Sequence, residues 1–244
     1  MIFAAETDRG LVRDINEDSY RIIEGSDGLP NLFVIADGMG GHSCGELASK
    51  TAVEYISGSA LKGRLRSFLP LERCKPELVK LFEETNEAVY RKSLEIPSAV
   101  GMGTTLTMAL IDEKAIAVAH VGDSRLYMLR AGKMEQLTTD HSYIEELVRQ
   151  GSLTREEAEK HPRKNIITRA IGCFPELKVD VTILKTEKDD IFLICTDGLT
   201  NMLGDSEIYN IIKDAEPDAA CKSLIEAALG KGGEDNITVI LIKC

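Results

Sequence analysis

The stretch "LFVIADGMGG" at residues 32–41 runs from five apolar residues into Asp-Gly and then a glycine pair. With Asn31 it reads "NLFVIAD", a continuous apolar run of the kind expected of a strand covered on both faces. Its last residue is a carboxylate, Asp37, after which the chain is expected to turn sharply. "IFLICTDGLT" at residues 191–200 repeats the arrangement with Asp197. Aspartate is disfavoured within strands and common in turns, so either acid alone reads as a turn former. Two core strands that each deliver an acid to a tip form a pattern.

Other apolar runs extend it. "IFAAE", "DSYRII", "TTLTMALI", "AIAVAHV", "RLYMLR", "VDVTIL" and "ITVILI" all read as strands. The three middle runs, "TTLTMALI" to "RLYMLR", are separated by short turns and suggest an antiparallel meander, with "AGK" as a hairpin-like turn after Arg130. Helical spacing covers four segments. "HSCGELASKTAVEYI" has Ser43 and Glu46 placed for a capping box. A second helix begins near Pro76, with Leu78, Leu81, Phe82, Thr85, Ala88 and Val89 on one face. Ile208, Ile211 and Ile212 line a third, and Cys221, Leu224, Ile225 and Ala228 a fourth. Between them lies a polar excursion at 142–165, with short helices expected near 143–150 and 155–160, which reads as a flap beside a sheet.

Strands therefore come in groups separated by helix pairs, which argues against a doubly wound parallel sheet. Two packed sheets with helix pairs outside would bury the apolar runs on both faces. A length of 244 residues, 43% hydrophobic and without a Pro-, Ser- or Gly-rich linker, fits one domain over 1–244. The net charge of −11 and the lack of a basic block argue against a nucleic-acid partner. Six cysteines without a C-x-x-C pair, and only four histidines, argue against zinc. Cys195, inside an apolar run, reads as a small hydrophobe. No signal peptide or membrane-length apolar run is evident, so a cytoplasmic protein without a membrane partner is expected.

The acids fall at strand ends. Asp18 precedes a strand, Asp37 and Asp197 end apolar runs before Gly, Asp123 lies between two strands, and Asp235 precedes the last run. If those strands lie side by side, the carboxylates meet and repel, each pushed towards protonation. A divalent cation removes the repulsion, and oxygen ligands without cysteine or histidine favour Mg²⁺ or Mn²⁺. Gly38 lets backbone approach a ligand and could offer its carbonyl. Arg13, in "DRGLVRDINED", is equally a structural ion pair or a phosphate clamp on these grounds.

These residues closely resemble the metal-dependent protein phosphatases of the 2C class, most of all their compact bacterial members. The resemblance runs in order through "TDRGLVRDINEDSY", "ADGMGGHSCGELAS", "GMGTTLTMAL", "HVGDSRLYMLR", "TTDHSYIEELVRQG", "LTREEAEKHPRKNIITRAIG", "DDIFLICTDGLT" and "EDNITVILI". It implies an α+β fold: a four-layer αββα sandwich of two antiparallel sheets flanked by helix pairs, with a flap at about 142–165. It implies a binuclear Mn²⁺ or Mg²⁺ centre whose activated bridging water hydrolyses phosphoserine and phosphothreonine in proteins, reversing the work of a bacterial Ser/Thr protein kinase. By motif, Asp37 would bridge the metals and the Gly38 carbonyl would bind one. Asp197 and Asp235 would complete the second site. Glu17 and Asp18 would act mainly through water. Asp123 would hold a third, weaker metal with Asp197 shared. Arg13 matches the phosphate-binding arginine, which favours the clamp.

The sequence departs from many eukaryotic members at Met39, where they carry a histidine proposed to protonate the leaving group. His42 reads as a loop or capping residue and His141 as structural. "HSCGE" lacks a C-x-x-x-x-x-R phosphate loop, which disfavours a cysteine mechanism through Cys44. A catalytically dead binding module on the same fold would lack Asp37, Asp197 or Asp235, and all three are present. A switch phosphatase for one regulator would be expected to carry a sensor domain as well.

Overall fold

A computed structural model describes every residue except 41–43, 155, 156, 159, 160, 164 and 165. The strands are β1 (Ile2–Asp8), β2 (Asp18–Ile23), β3 (Asn31–Met39), β4 (Gly103–Thr104), β5 (Leu106–Ile111), β6 (Ala115–Val121), β7 (Arg125–Arg130), β8 (Lys133–Gln136), β9 (Asp180–Lys185), β10 (Ile191–Cys195) and β11 (Ile237–Lys243). The helices of the described residues are α1 (Cys44–Leu61), α2 (Lys75–Glu95), α3 (Tyr143–Arg149), α4 (Asp197–Thr200), α5 (Asp205–Ile212) and α6 (Pro217–Gly230), with short 3-10 turns between α1 and β4.

One sheet has the order β1-β11-β10-β7-β8 and the other β2-β3-β5-β6-β9, with β4 added at the end of β3. Every pairing is antiparallel. Side chains alternate between faces along a strand, so one apolar run can feed two cores. In β3, Leu32, Val34 and Ala36 face α1 and α2, while Phe33 and Ile35 face the other sheet. In β10, Phe192 and Ile194 face β3's sheet, while Leu193 and Cys195 face α5 and α6. Three apolar layers thus separate helix pair, sheet, sheet and helix pair, the αββα sandwich expected. Burial raises the Cys195 thiol to about 12, so it is an inert hydrophobe as its surroundings in the sequence suggested.

Two local expectations are corrected. The three middle runs do not form a meander: β5 and β6 pair, but β7 pairs with β10 and β8 in the other sheet. The chain crosses between sheets at residues 122–124, because the inward faces of β6 and β7 belong to opposite sides of the central layer. Nor does the chain turn after Asp37. β3 continues through Gly38 and Met39, paired with Thr104 and Gly103. The hairpin at "AGK" is present, with Ala131 and Gly132 both at positive φ as a type I′ turn requires.

α1 and α2 pack as read, with Leu78, Leu81, Phe82, Thr85 and Val89 buried. Asn86 shares that buried face for a polar reason. Its Oδ1 accepts the Gly172 amide at 2.7 Å and its Nδ2 donates to the Phe174 carbonyl at 2.8 Å. The capping-box residue Ser43 and His42 lie outside the described residues, as do the ends of the helix expected at 155–160. Glu17, from the β1–β2 segment, accepts the Gly45 amide at 3.1 Å and so serves the first turn of α1. The segment expected to form a flap is bridged at its base where Ser142 pairs with Ile167, and the Ser142 hydroxyl caps α3. No helix of the described residues is long and apolar enough to cross a membrane.

Candidate active site

The topology carries the acids to one end of the sandwich. β10 and β11 are antiparallel neighbours, so the residue after one and the residues before the other lie together. Asp197 opens α4 two residues after β10 ends, and Asp235 lies two residues before β11 begins. β7 begins beside the end of β10, with Arg125 opposite Cys195, which brings Asp123 to the same end. From the other sheet, Asp18 and Asp37 stand directly opposite each other on β2 and β3. Like charges in that relation destabilise a bare sheet.

Each acid is braced. The Asp37 amide donates to Thr105 Oγ1 at 2.9 Å, and its carbonyl accepts from the Thr105 amide and Thr104 Oγ1, each at 2.8 Å. Thr105 Oγ1 lies 2.8 Å from Ser124 Oγ, which ties β3 to the crossover that carries Asp123. Asp18 Oδ2 accepts from Thr238 Oγ1 at 2.6 Å and from Thr196 Oγ1 at 3.0 Å. Asp197 Oδ2 accepts from Asn201 Nδ2 at 3.0 Å. Asp235 Oδ2 pairs with Arg13 Nη2 at 2.8 Å, half-exposed on the arginine side.

The two Asp-Gly glycines are explained by close approach rather than by a turn. A Cβ on Gly38 would stand 2.1 Å from the Gly45 carbonyl oxygen, and one on Gly198 would stand 2.0 Å from that of Asn236.

The electrostatics follow from crowding. Asp18, Asp37 and Asp197 retain some contact with solvent but sit deep among protein atoms. Burial, with Asp197 and Asp235 nearby, lifts Asp18 to about 7 against its two threonine hydrogen bonds. Burial, then Asp18, Asp197, Asp123 and Asp235, push Asp37 well above the usual carboxylate range. Burial and then Asp197 and Asp140 do the same to Asp123, and burial and then Asp235 raise Asp197. Asp18 Oδ1 and Asp123 Oδ1 are buried without a hydrogen-bond partner. Five mutually repelling carboxylates with spare, desolvated oxygens fit a hard divalent cation. Among the described residues, no three acids, histidines or cysteines are drawn together tightly enough to hold a metal as they stand. The fit is therefore one of charge and donor type.

A cavity of about 820 Å³ opens beside the acids, between α3 of the flap and the α4–α5 turn. Asp123 and Asp197 line it together with Arg125, Asp140, Ile144 and Asp205. Arg125 holds Asp140 through Nε and Nη2 and donates to the Tyr127 hydroxyl, fixing the flap's root to β7.

His141 is structural, as expected. Its backbone amide donates to the Gly122 carbonyl at 2.7 Å and its Nδ1 accepts the Gly122 amide at 3.1 Å, while Nε2 lies 3.2 Å from Asp180 Oδ2. Its ring packs on His120, centroids 4.9 Å apart. Burial, and then His141, lower His120 to about 4. The folded protein keeps His120 neutral while the unfolded chain protonates it near 6.5, so stability is lost as pH falls from there towards about 4. In urea unfolding, wild type should lose about 3 kcal/mol more than His120→Asn between about pH 7 and about pH 4. Parallel pH profiles would contradict a neutral buried His120.

The hydroxyl and amide braces, Thr104, Thr105, Ser124, Thr196, Asn201, Asn236 and Thr238, were given no role from the sequence. The signal was adjacency: all but Thr104, Thr105 and Asn201 stand within three residues of one of the acids, in "GDS", "TDG" and "DNIT".

A two-sheet sandwich with an acid cluster at one end is the arrangement that the resemblance to the metal-dependent phosphatases implied, and comparison with known proteins gives the family. Residues 12–223 match the model of the family described as protein phosphatase 2C. The chain belongs to the protein phosphatase 2C family and is a serine/threonine phosphatase. It is 39% identical over 238 residues to "Serine/threonine phosphatase stp" of Listeria monocytogenes, covering 97% of this chain and 93% of that protein. Its structure is similar to the crystal structure of serine/threonine phosphatase Stp1 from Staphylococcus aureus, with a TM-score of 0.91 at 34% identity, covering 100% of this chain and 95% of that one. It is also similar to the catalytic domain of serine/threonine protein phosphatase PstP in complex with two manganese ions, with a TM-score of 0.84 at 35% identity, covering 98% and 96%.

Proposed function

We propose that this enzyme hydrolyses phosphoserine and phosphothreonine in proteins at a Mn²⁺ or Mg²⁺ centre built on the five aspartates. The observation that carries this reading is their convergence from both sheets, with raised carboxyl pKa values at Asp18, Asp37, Asp123 and Asp197 and two buried unpartnered oxygens. The PstP relative with two manganese ions supports it. Asp37, the Gly38 carbonyl, Asp197 and Asp235 would hold two ions, with Asp37 shared. Glu17 and Asp18 would act mainly through water, and Asp123 with Asp197 would hold a third, weaker ion. Bound divalent ions supply a water of lowered pKa and offset phosphoryl charge.

The chain's own residues do the rest. Arg13 turns its planar fork from Asp235 to two phosphate oxygens, and its half-exposed position leaves it free to do so. It neutralises charge that grows on the phosphoryl oxygens as the P–O bond to serine breaks and the bond to water forms. The attacking water gives up a proton and the departing alkoxide takes one. Met39 has a thioether and no proton to give, so the alkoxide takes its proton from another source, water or a neighbouring acid. The flap at 142–165 borders the cavity and selects among phosphoproteins, including a Ser/Thr kinase of the bacterial type.

Purified protein should release inorganic phosphate from phosphoserine and phosphothreonine peptides, and no release with either metal would overturn the proposal. In Arg13→Ala, KM should rise about tenfold or more, as expected for a lost charged hydrogen bond. A thermal-stability defect with unchanged KM would make Arg13 a structural ion pair instead.

A further inference from the structure

Residues 9–17 link β1 to β2, carry Arg13 and Glu17, and form no helix or strand. Leu11, Val12 and Ile15 within them are exposed, so the segment has little apolar anchorage. The side chain that reaches it on both sides of Arg13 is Asn236, which is 5% exposed and adjacent to Asp235. Its Oδ1 accepts the Glu17 amide at 2.8 Å. Its Nδ2 donates to the carbonyls of Arg9 at 2.8 Å and Ile15 at 2.9 Å. The amide group has one sense only here, because the opposite one would set its NH₂ against an N–H and its oxygen against two carbonyls. Before the arginine the Leu11 amide adds a bond to the Gly233 carbonyl at 2.8 Å, and after it Asn16 Nδ2 donates to Thr7 Oγ1 at 2.9 Å while the Glu17 carbonyl accepts from the Gly38 amide at 3.2 Å and from Ser49 Oγ at 2.6 Å.

We infer that Asn236 is a positioning residue for Arg13. It grips the segment on both sides of the arginine, at 9, 15 and 17, from the residue next to the carboxylate that Arg13 pairs with. The guanidinium is thereby held over the acid cluster instead of sweeping through solvent, and a phosphate meets it preorganised. Asn236 touches neither substrate nor reacting atoms. The inference rests on the reading of Arg13 as the phosphate anchor.

The test is steady-state kinetics of the Mn²⁺-supplied protein on a phosphothreonine peptide, with amide hydrogen exchange on the same variants. Asn236→Ala should raise KM about tenfold with a smaller change in kcat. In an Arg13→Ala background the same substitution should change KM less than about twofold, because the two act as one unit. The Glu17 amide and its neighbours at 9–17 should lose exchange protection while α1 and α6 keep theirs. Asn236→Asp has the same volume and retains the Glu17 bond, but turns an acceptor towards two carbonyls. It should raise KM likewise and loosen residues 9–15 while the Glu17 amide keeps its protection, and it serves if the alanine variant does not fold. Equal KM effects in both backgrounds, or unchanged protection at Glu17 in Asn236→Ala or at 9–15 in Asn236→Asp, would overturn the inference. An unchanged KM in Arg13→Ala alone, with protection still lost in Asn236→Ala, would instead overturn the anchor reading.

Discussion

Asp197→Ala should lower phosphatase turnover by about 10³-fold or more while the protein remains folded. Asp197 is the acid proposed to be shared between the main centre and the weaker third ion, so its loss weakens both. Its loss should not weaken the fold. The carboxyl is raised by burial and by Asp235, so ionised Asp197 is a liability to the metal-free protein. Against that, Asn201 loses one hydrogen-bond partner, worth about 1 kcal/mol. In chelator at neutral pH the variant's Tm should therefore match or exceed that of wild type, and circular dichroism should be unchanged. Turnover within tenfold of wild type would remove Asp197 from the site. Collapse of the folded signal would mean that Asp197 is structural.

Chelation of the wild-type protein should abolish hydrolysis of p-nitrophenyl phosphate, and added Mn²⁺ or Mg²⁺ should restore it. The same titration should be visible without substrate. An ion bound only by the folded state at about 100 times its Kd adds about 2.7 kcal/mol, or roughly 5–10 °C in Tm for a chain of this size. The effect should grow with pH. Raised carboxyls favour the metal-free fold while protonated, and that support is lost as pH rises through their folded values, about 7 for Asp18. In a His120→Asn background, which removes the opposite slope of the buried histidine, the metal-free Tm should therefore fall as pH climbs from about 5 to about 8, and the metal-supplied Tm should not follow it. Full turnover in excess chelator would sink the metal mechanism outright.

Much of the fold was legible because apolar periodicity is local. "NLFVIAD" and "IFLIC" are buried on both faces as read, and the helix faces at Leu78–Val89 and Cys221–Ala228 pack as spaced. Sheet membership was not legible. A run such as "RLYMLR" looks the same whether it pairs with its predecessor or crosses to another sheet, because register and partner are long-range choices. The acids were legible as a set, since strand ends in neighbouring antiparallel strands must meet. Their support was not. Nothing in the spacing of Glu17 shows that it serves α1, or in Asn236 that it reaches back more than two hundred residues to the β1–β2 segment. Such side-chain bonds are contacts of the finished fold.

The crossover at residues 122–124 has a consequence for how the protein assembles. Asp18 and Asp37 ride on one sheet, Asp197 and Asp235 on the other, and Asp123 at the seam. A folding intermediate with only one sheet formed would hold two of the five acids, or three with Asp123, and never all of them. High-affinity Mn²⁺ uptake should thus be a late event, appearing only once the two sheets have docked. In a refolding experiment the ion becomes a clock for that docking, distinct from the earlier rise of secondary structure.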